Sequence, residues 1–382
     1  MAGSLILTGT PEHHAGGQSL RLRALRQALR RHGPAGLLAV ECGRWWGDCT
    51  RSCRVTGQPP RSPGPFWYFD QATCAQYAAE VAGRCARTGV TTVICSGLET
   101  HGYAVALAAI GTLRVVYDMH NVELPLHTEI HAASRDEPPY SFLYTAEHLS
   151  LVAAAEGAAV AAATEVWTCS PEDRLLVAAT YPSTPLAKIR VVPNAVHVPT
   201  APRRGAPRRI CYPGRFDYFP NIDAGRTLAH RIAPLLAAAG LDIPVVLAGA
   251  KAGDTFGTAT LPANVRLVTS PPTTADLIGG SVMAVPLTIG GGSRFKVIEA
   301  FALGAAVVST PKGVEGLGLT AGRHYLPATD PAGFAAAIIN ILRDDDRRDR
   351  LVDAAFGLVR ERYSIEVLER CLDGGHHAAA RP

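Results

Sequence analysis

The amino-acid sequence predicts an α/β protein built from two open parallel sheets. Three observations point there. Continuous apolar runs rich in valine, isoleucine and leucine alternate with longer helical patterns, as strands buried on both faces do. The alternation runs once, stops at a stretch rich in proline and arginine, and starts again. At 382 residues the chain is also too long for one ordinary core.

The first series of candidate strands is Ser4–Gly9, Gly36–Cys42, Thr91–Gly97, Arg114–His120, Glu165–Ser170 and Lys188–Asn194. The alanine-rich run from Val152 to Thr164 holds Glu156 and reads as a buried helix. HVPTAPRRGAPRR (His197–Arg209) has a linker composition and marks the expected hinge. The second series is Arg208–Arg215, Ile243–Gly249, Val265–Ser270, Ser281–Leu287 and Ala305–Thr310. A long helix and a last helical stretch from about Ser364 to Leu372 complete the pattern. Open α/β sheets bind ligands outside the carboxyl ends of their strands, so two such domains facing across a cleft are expected to hold a ligand there.

Composition narrows the classes. Hydrophobic residues make up 47% and charged residues 18%, which fits a globular chain and not a disordered one. The formal charge of +4 is too small for a nucleic-acid binder without a concentrated basic patch. Lysine occurs only at Lys188, Lys251, Lys296 and Lys312, and the excess of arginine and alanine suggests a bacterial, GC-rich genome. Met1 is followed at once by a short apolar strand, so no signal peptide is expected. No run approaches the ~20 apolar residues of a membrane span. The nine cysteines are scattered; Cys95, Cys169 and Cys211 read as small core residues. Cys42, Cys49 and Cys53 lie closer together, but no CxxC pair or nearby histidine completes a zinc pattern, so no metal is expected. A reducing cytoplasm fits this usage.

The densest chemistry lies in PLTIGGGSRFKVIEAFALGAAVVST (Pro286–Thr310). A strand ends at Leu287, Gly290, Gly291 and Gly292 precede Ser293, and a helix is expected from near Ser293 to about Leu303. Glycines at a strand-to-helix turn let backbone N–H groups approach an anion, and the helix N-terminus adds a positive field. Arg294 and Lys296 fall in the first turn, where cations are unfavourable, so a diphosphate is the expected counter-anion. Glu299, one turn on, is placed to accept hydrogen bonds from a ribose diol. An ordinary α/β crossover with glycines for packing has the same glycine spacing.

Gly16 and Gly17 form a second anion-facing turn before a helix carrying Arg21, Arg23, Arg26, Arg30 and Arg31. That charge run reads as the solvated face of the helix, with an anionic membrane surface as the less favoured partner. His120, in DMHNVE (Asp118–Glu123), and Arg215, in YPGRFDYFPN (Tyr212–Asn221), each follow a strand and are expected to face a ligand. GxSxG, HExxH, Walker A and GxGxxG patterns are absent, and DDDRRD (Asp344–Asp349) reads as a solvated helix end.

At these residues the sequence resembles the retaining glycosyltransferases of family 4, which have the GT-B fold of two Rossmann-like domains. The matching pieces are the glycine pair before the first helix, DMHNVE, VWTCSPED, VVPNAV, GRFDYFPN, VVLAG and GGGSRFKVIEAFALGAAVVSTPKGVEG. They span nearly the whole chain and are densest from Val191 to Leu317. The last piece is similar to the GGGTRLKILEA form of one branch. The resemblance implies that Glu299 is the second glutamate of the glutamate-x7-glutamate pattern and holds the donor ribose. It implies that Arg215 binds phosphate, that His120 contacts the donor sugar and that Gly17 lies beside the diphosphate. Two positions depart: Gly291 stands where the first glutamate belongs, and Pro220 where a lysine is expected. Lys296 and Arg294 are expected to supply the missing charge, and N–H groups of Gly291 to Ser293 to contact the sugar.

The expectation is therefore an N-terminal acceptor-binding domain over 1–197, with a C-terminal helix of about 363–382 packing back onto it, and a donor-binding domain over 198–362. The expected reaction is metal-independent, retaining transfer of a sugar from a nucleoside diphosphate-sugar to a small metabolite of natural-product biosynthesis. A cell-envelope lipid or polysaccharide acceptor is an alternative, as is a non-catalytic sugar-nucleotide-binding protein. Trp45, Trp46, Trp67 and Tyr68, in the aromatic stretch Gly43–Phe69, are candidates for an acceptor pocket, or equally for anchors of a long loop.

Overall fold

The structure, a computed structural model, describes residues 3–9, 16–39, 71–257, 260–271 and 273–377. Trp45, Trp46, Trp67 and Tyr68, with Cys42, Cys49 and Cys53, lie outside the described residues. The chain divides into two compact units. The first comprises Met1–His14, Gln18–Asn194 and Leu368–Pro382, the second Ala15–Gly17 and Ala195–Val367.

The first unit carries β1 (Gly3–Thr8), β2 (Ala35–Ala39), β3 (Val90–Ser96), β4 (Arg114–Asp118), β5 (Glu165–Thr168) and β6 (Ile189–Val191). They form one parallel sheet in the order β2-β1-β3-β4-β5-β6. Its core joins Leu7, Val93, Cys95 and Tyr117 of the strands to Leu107 and Val160 of the helices His101–Ile110 and Ala146–Ala162. The succession of strands changes direction between β1 and β3, and such a switch point opens a crevice at the carboxyl ends.

The second unit carries β7 (Ile210–Pro213), β8 (Val245–Gly249), β9 (Val265–Thr269), β10 (Val282–Val285), β11 (Ala306–Ser309) and β12 (Leu326–Pro327). This sheet is also parallel, ordered β12-β11-β10-β7-β8-β9, which is the doubly wound order of a Rossmann sheet. Its switch point lies between β7 and β10, paired at Ile210 and Val282. Every residue of β7, β8, β10 and β11 is buried, which accounts for their unbroken apolar runs. All the strands read from the sequence are present. The added one, β12, is a two-residue edge strand ending in proline, too short for any period to mark.

Residues 197–209 form no helix or strand, as their composition predicts. The long helix Asp345–Arg362 is followed by Ile365–His377. From Leu368 onward the chain is part of the first unit. There the Cys371 Sγ–H donates to the Val191 carbonyl at 3.5 Å, Arg190 donates to the Cys371 carbonyl, and His32 lies 3.2 Å from Asp373. The cysteines Cys95, Cys169 and Cys211 are buried free thiols.

Gly249 closes β8 at φ +141°, and a Cβ there would lie 2.0 Å from the Gly214 carbonyl oxygen. Only glycine lets the ends of β7 and β8 approach this closely, with Gly214 N–H on Ala248 and Phe216 N–H on Ala250, each at 2.9 Å. Gly249→Ala is expected to cost about 2 kcal/mol or more in urea denaturation, because backbone and not a flexible side chain must move.

Candidate functional site

The loops leaving β7 and β10, the strands flanking the switch point of the second unit, and the helix after the second of these loops carry the predicted residues of that unit. Arg215 leaves β7 through Gly214 and holds Asp217 in a two-pronged pair, Nε–Oδ1 3.1 Å and Nη2–Oδ2 2.6 Å. That hydrogen bond raises the Arg215 pKa; against the effect of burial, it also holds Asp217 below the ordinary carboxylate range. About half of the Arg215 side chain is exposed. Pro220 lies in the first turn of the helix Phe219–Arg226, where the missing N–H costs nothing.

The glycine loop turns through Gly290 at φ +149° and Gly292 at φ +63°. The helix begins at Phe295, slightly later than the sequence suggested, and Arg294 is its N-cap. Arg294 is 7% exposed and its guanidinium folds back under the loop. Nη1 donates to the carbonyls of Gly291 and, at 2.7 Å, Gly292, while Nη2 donates to the Lys312 carbonyl at 3.2 Å. A Cβ on Gly290 would lie 2.8 Å from Nη2, so glycine makes room for this brace. The Arg294 charge thus rests on protein carbonyls and on the Glu315 carboxylate, 3.9 Å from Nη2, so it does not by itself call for a diphosphate.

Lys296 differs. Its ammonium donates to Asn221 Oδ1 at 2.9 Å and stands 4.0 Å from the centre of the Tyr212 ring. Tyr212 donates to the same Asn221 oxygen at 2.8 Å, and Asn221 Nδ2 donates to the Arg215 carbonyl at 2.9 Å. Asn221 therefore ties Arg215 to Lys296, and the ammonium's hydrogen-bond and ring partners are both neutral. Burial, and next the Arg294 charge, push the Lys296 pKa down to about 7. Glu299 is half-buried on the same helix; Gly291 and Ser293 are half-buried and Gly292 is buried.

In the first unit, His120 follows β4 beside a charged network absent from the sequence reading. Arg21 is 2% exposed and meets Asp118 through Nη2–Oδ1 at 2.5 Å and Nε at 3.1 and 3.2 Å. Its Nη1 donates to the Val192 carbonyl and to Asn194 Oδ1, each at 3.0 Å. Burial works to raise the Asp118 pKa, but the Arg21 charge prevails and holds it well below the usual range. Asp118 is therefore ionised and accepts from Ser96 Oγ at 2.8 Å. Ser96 must then accept from His120 Nε2 at 2.7 Å, which places the imidazole proton on Nε2. Past His120, the Glu123 and Leu124 N–H groups donate to the carboxylate of Glu156 at 2.8 and 3.2 Å. Burial, and next Glu123, raise Glu156 to about 7. Glu99, after β3, accepts from Gln18 at 2.6 Å, and its pKa is raised by burial.

Gly16 is half-buried at φ +147°, and Gly17 opens the helix Gly17–Leu29. Arg21 corrects the reading of that helix as a solvated arginine face. It lies on the buried stripe with Leu25, Ala28 and Leu29, while Arg23 and Arg30 are exposed. That spacing was the available signal, an arginine at core positions i, i+4, i+7 and i+8. Among the described residues, no group of three or more histidine, cysteine, aspartate or glutamate side chains could hold a metal ion. No described helix is long and apolar enough to cross a membrane.

Residues 207–344 match the family model described as "Glycosyl transferases group 1". No protein of curated function matches the chain by sequence. Among solved structures, the chain is similar to a sucrose-phosphate synthase from Thermosynechococcus elongatus, with TM-score 0.70 and 15% identity over 99% of both chains. It is similar to HepE of Anabaena in complex with UDP and glucose, with TM-score 0.67 and 13% identity over 99% of this chain and 100% of that one. A glycosyltransferase from Rickettsia africae gives TM-score 0.63 and 13% identity over 97% and 96%.

The chain has the GT-B fold. The group 1 domain and these GT-B neighbours support a glycosyltransferase, and the domain match spans both loops at the switch point of the second unit, from Arg215 to Glu299.

Two substitutions test the electrostatics. Arg21→Met strands a buried carboxylate and is expected to cost about 3–5 kcal/mol at neutral pH. The native Asp118 contribution is present above the ordinary carboxylate pKa and is lost as pH falls through its depressed folded value, so the deficit shrinks in acid. Lys296→Met removes a cation that folding makes harder to protonate. The free protein is expected to melt at an equal or higher temperature at pH 6, with the difference narrowing as pH rises above about 7.

Proposed function

We propose that this protein is a retaining, metal-independent glycosyltransferase that moves a sugar from a nucleoside diphosphate-sugar to a hydroxyl group of a small-molecule acceptor. The observation that carries the proposal is the half-buried Lys296 ammonium, held beside the switch point by neutral partners and linked through Asn221 to Arg215. Such an arrangement favours an anion that brings its own charge. HepE, solved with UDP and with UDP-glucose, supports a nucleoside diphosphate-sugar as that anion.

In this reading Lys296 and Arg215 hold the diphosphate, with N–H groups of Gly291, Gly292 and Ser293 and the Gly16–Gly17 turn as further donors. Arg294 acts from beneath, fixing the carbonyls of the loop so that its N–H groups stay aimed. Glu299 accepts from the ribose hydroxyls. His120, with Nε2 committed to Ser96, offers Nδ1 to a sugar hydroxyl. Glu99 and Gln18 give a hydroxylated acceptor both accepting and donating groups in the first unit.

The bond from the anomeric carbon to the phosphate oxygen breaks with its electron pair going to the diphosphate. A new bond forms from that carbon to the acceptor oxygen on the same face, and the leaving phosphate takes the acceptor proton. Negative charge grows on the diphosphate in the transition state, where pre-positioned cations stabilise it without reorganising. The resemblance to family 4 supports retention.

Arg215→Ala and Lys296→Ala are each expected to lower turnover of UDP-glucose with a competent acceptor by about 10²–10³-fold, with unchanged circular dichroism and in the presence of EDTA. For the native protein, kcat/KM is expected to decline as pH rises through about 7, where free Lys296 loses its proton, and Lys296→Arg to move that limb upward. Near-native rates in both alanine variants overturn the mechanism. Tight donor binding with no product across a broad acceptor panel instead supports a sugar-nucleotide-binding protein.

A further inference from the structure

A polar cavity of about 670 Å³ lies in the second unit, between the turn Thr320–Tyr325 and the end of the helix Asp345–Arg362. Its lining is rich in donors. Arg323, Arg360 and Arg362 face it, and among the described residues none of the three makes an ion pair. Of the two carboxylates in the lining, Asp353 is already paired with Arg204 at 2.7 Å, which leaves Glu361 against three guanidinium groups. Gly318, at φ +58°, leaves room for Arg362, whose Nη1 would lie 3.1 Å from a Cβ there.

His324 points the same way. It is 7% exposed, and its Nδ1 accepts from the Thr320 N–H at 2.9 Å. A ring nitrogen that accepts carries no proton, so the neutral imidazole holds its proton on Nε2. Among the described residues Nε2–H has no acceptor, although it lines a cavity. Burial, and next Arg323 and then Arg362, lower the His324 pKa, and all three side chains line the one cavity. Cations in the last turn of a helix are favoured by its dipole, which accounts for Arg360 and Arg362; Arg323 is exposed on the turn that forms the other side of the cavity, and the His324 Nε2–H is open to it.

We propose that this cavity is an anion site, separate from the donor site, that takes a phosphomonoester held by Arg323, Arg362 and the His324 Nε2–H. The excess of two positive charges matches a phosphate dianion, and guanidinium groups suit its oxygens in pairs. The volume falls within the range of small-ligand pockets. The phosphomonoester belongs either to a soluble metabolite or to a lipid headgroup.

The test is a histidine NMR titration of the full chain with inorganic phosphate, against chloride at matched ionic strength. Phosphate is expected to shift the His324 ring signals and raise its pKa, and Lys296→Ala is expected to leave that response intact. Arg323→Ala and Arg362→Ala, both surface changes, should each weaken binding about tenfold. A His324 signal that does not move, that moves equally with chloride, or that is indifferent to both substitutions overturns the proposal. Glycerol 3-phosphate and phosphatidic acid vesicles, with phosphatidylcholine as control, then separate the sources. Binding to either, lost in the Arg323→Ala, Arg362→Ala double variant, supports the site, and binding to neither overturns it.

Discussion

A charge taken out of water must be met by another charge, by dipoles, or by a ligand, and the charged residues of this chain sort themselves by which of these they have. Arg21 and Asp118 meet each other in the first unit, and the surplus hydrogen-bonding capacity of the guanidinium goes to Val192 and Asn194. Arg294 is met by the carbonyls of the loop it supports and, at 3.9 Å, by Glu315. Lys296 is met by an amide oxygen and a ring. The first two are structural solutions that fix backbone and tautomer. The third has only neutral partners, which is why the proposed function rests on Lys296 and not on the arginine two residues before it.

Parallel topology explains why these residues gather beyond the carboxyl ends of the strands. In both sheets the strands run the same way, so every loop that leaves a carboxyl end lies at one edge of its own sheet. In the second unit the order places β7 beside β10, and residues as far apart in sequence as Arg215 and Lys296 are joined through one asparagine. In the first unit the same rule gathers Ser96 from β3, Asp118 from β4 and His120 just beyond it. The segment Asp118–Glu123 is tied at one end by Arg21 and near the other by Glu156 on the helix N-terminus. His120 is thus held by a scaffold in which Arg21 balances Asp118 and backbone N–H groups meet Glu156.

The glycines of the second unit show how local strain serves this arrangement. Gly249 admits the carbonyl of Gly214 where β7 and β8 end, and Gly290 admits the guanidinium of Arg294. Both sit at positive φ, which glycine adopts without steric cost. The close approach of backbone and the brace beneath the loop are therefore written into residue types that any side chain would displace.

The sequence by itself determined the class of fold, the repeat of the pattern and the strands, because burial on both faces leaves an unbroken apolar signal and helices leave a periodic one. It also determined the glycine turn before Phe295, the positions of Arg215 and His120 just after strands, and those of Lys296 and Glu299 on the helix that follows the turn. It could not rank the charged residues, since a one-dimensional pattern states which side chains carry charge and not which other charge each one meets. Only tertiary structure decided that Arg21 is buried on Asp118, that Arg294 supports its own loop, and that Asn221 joins Lys296 to Arg215. Each of these depends on a contact between distant parts of the chain, created by strand order. The same reason hid β12, whose two residues become a strand only by lying beside β11.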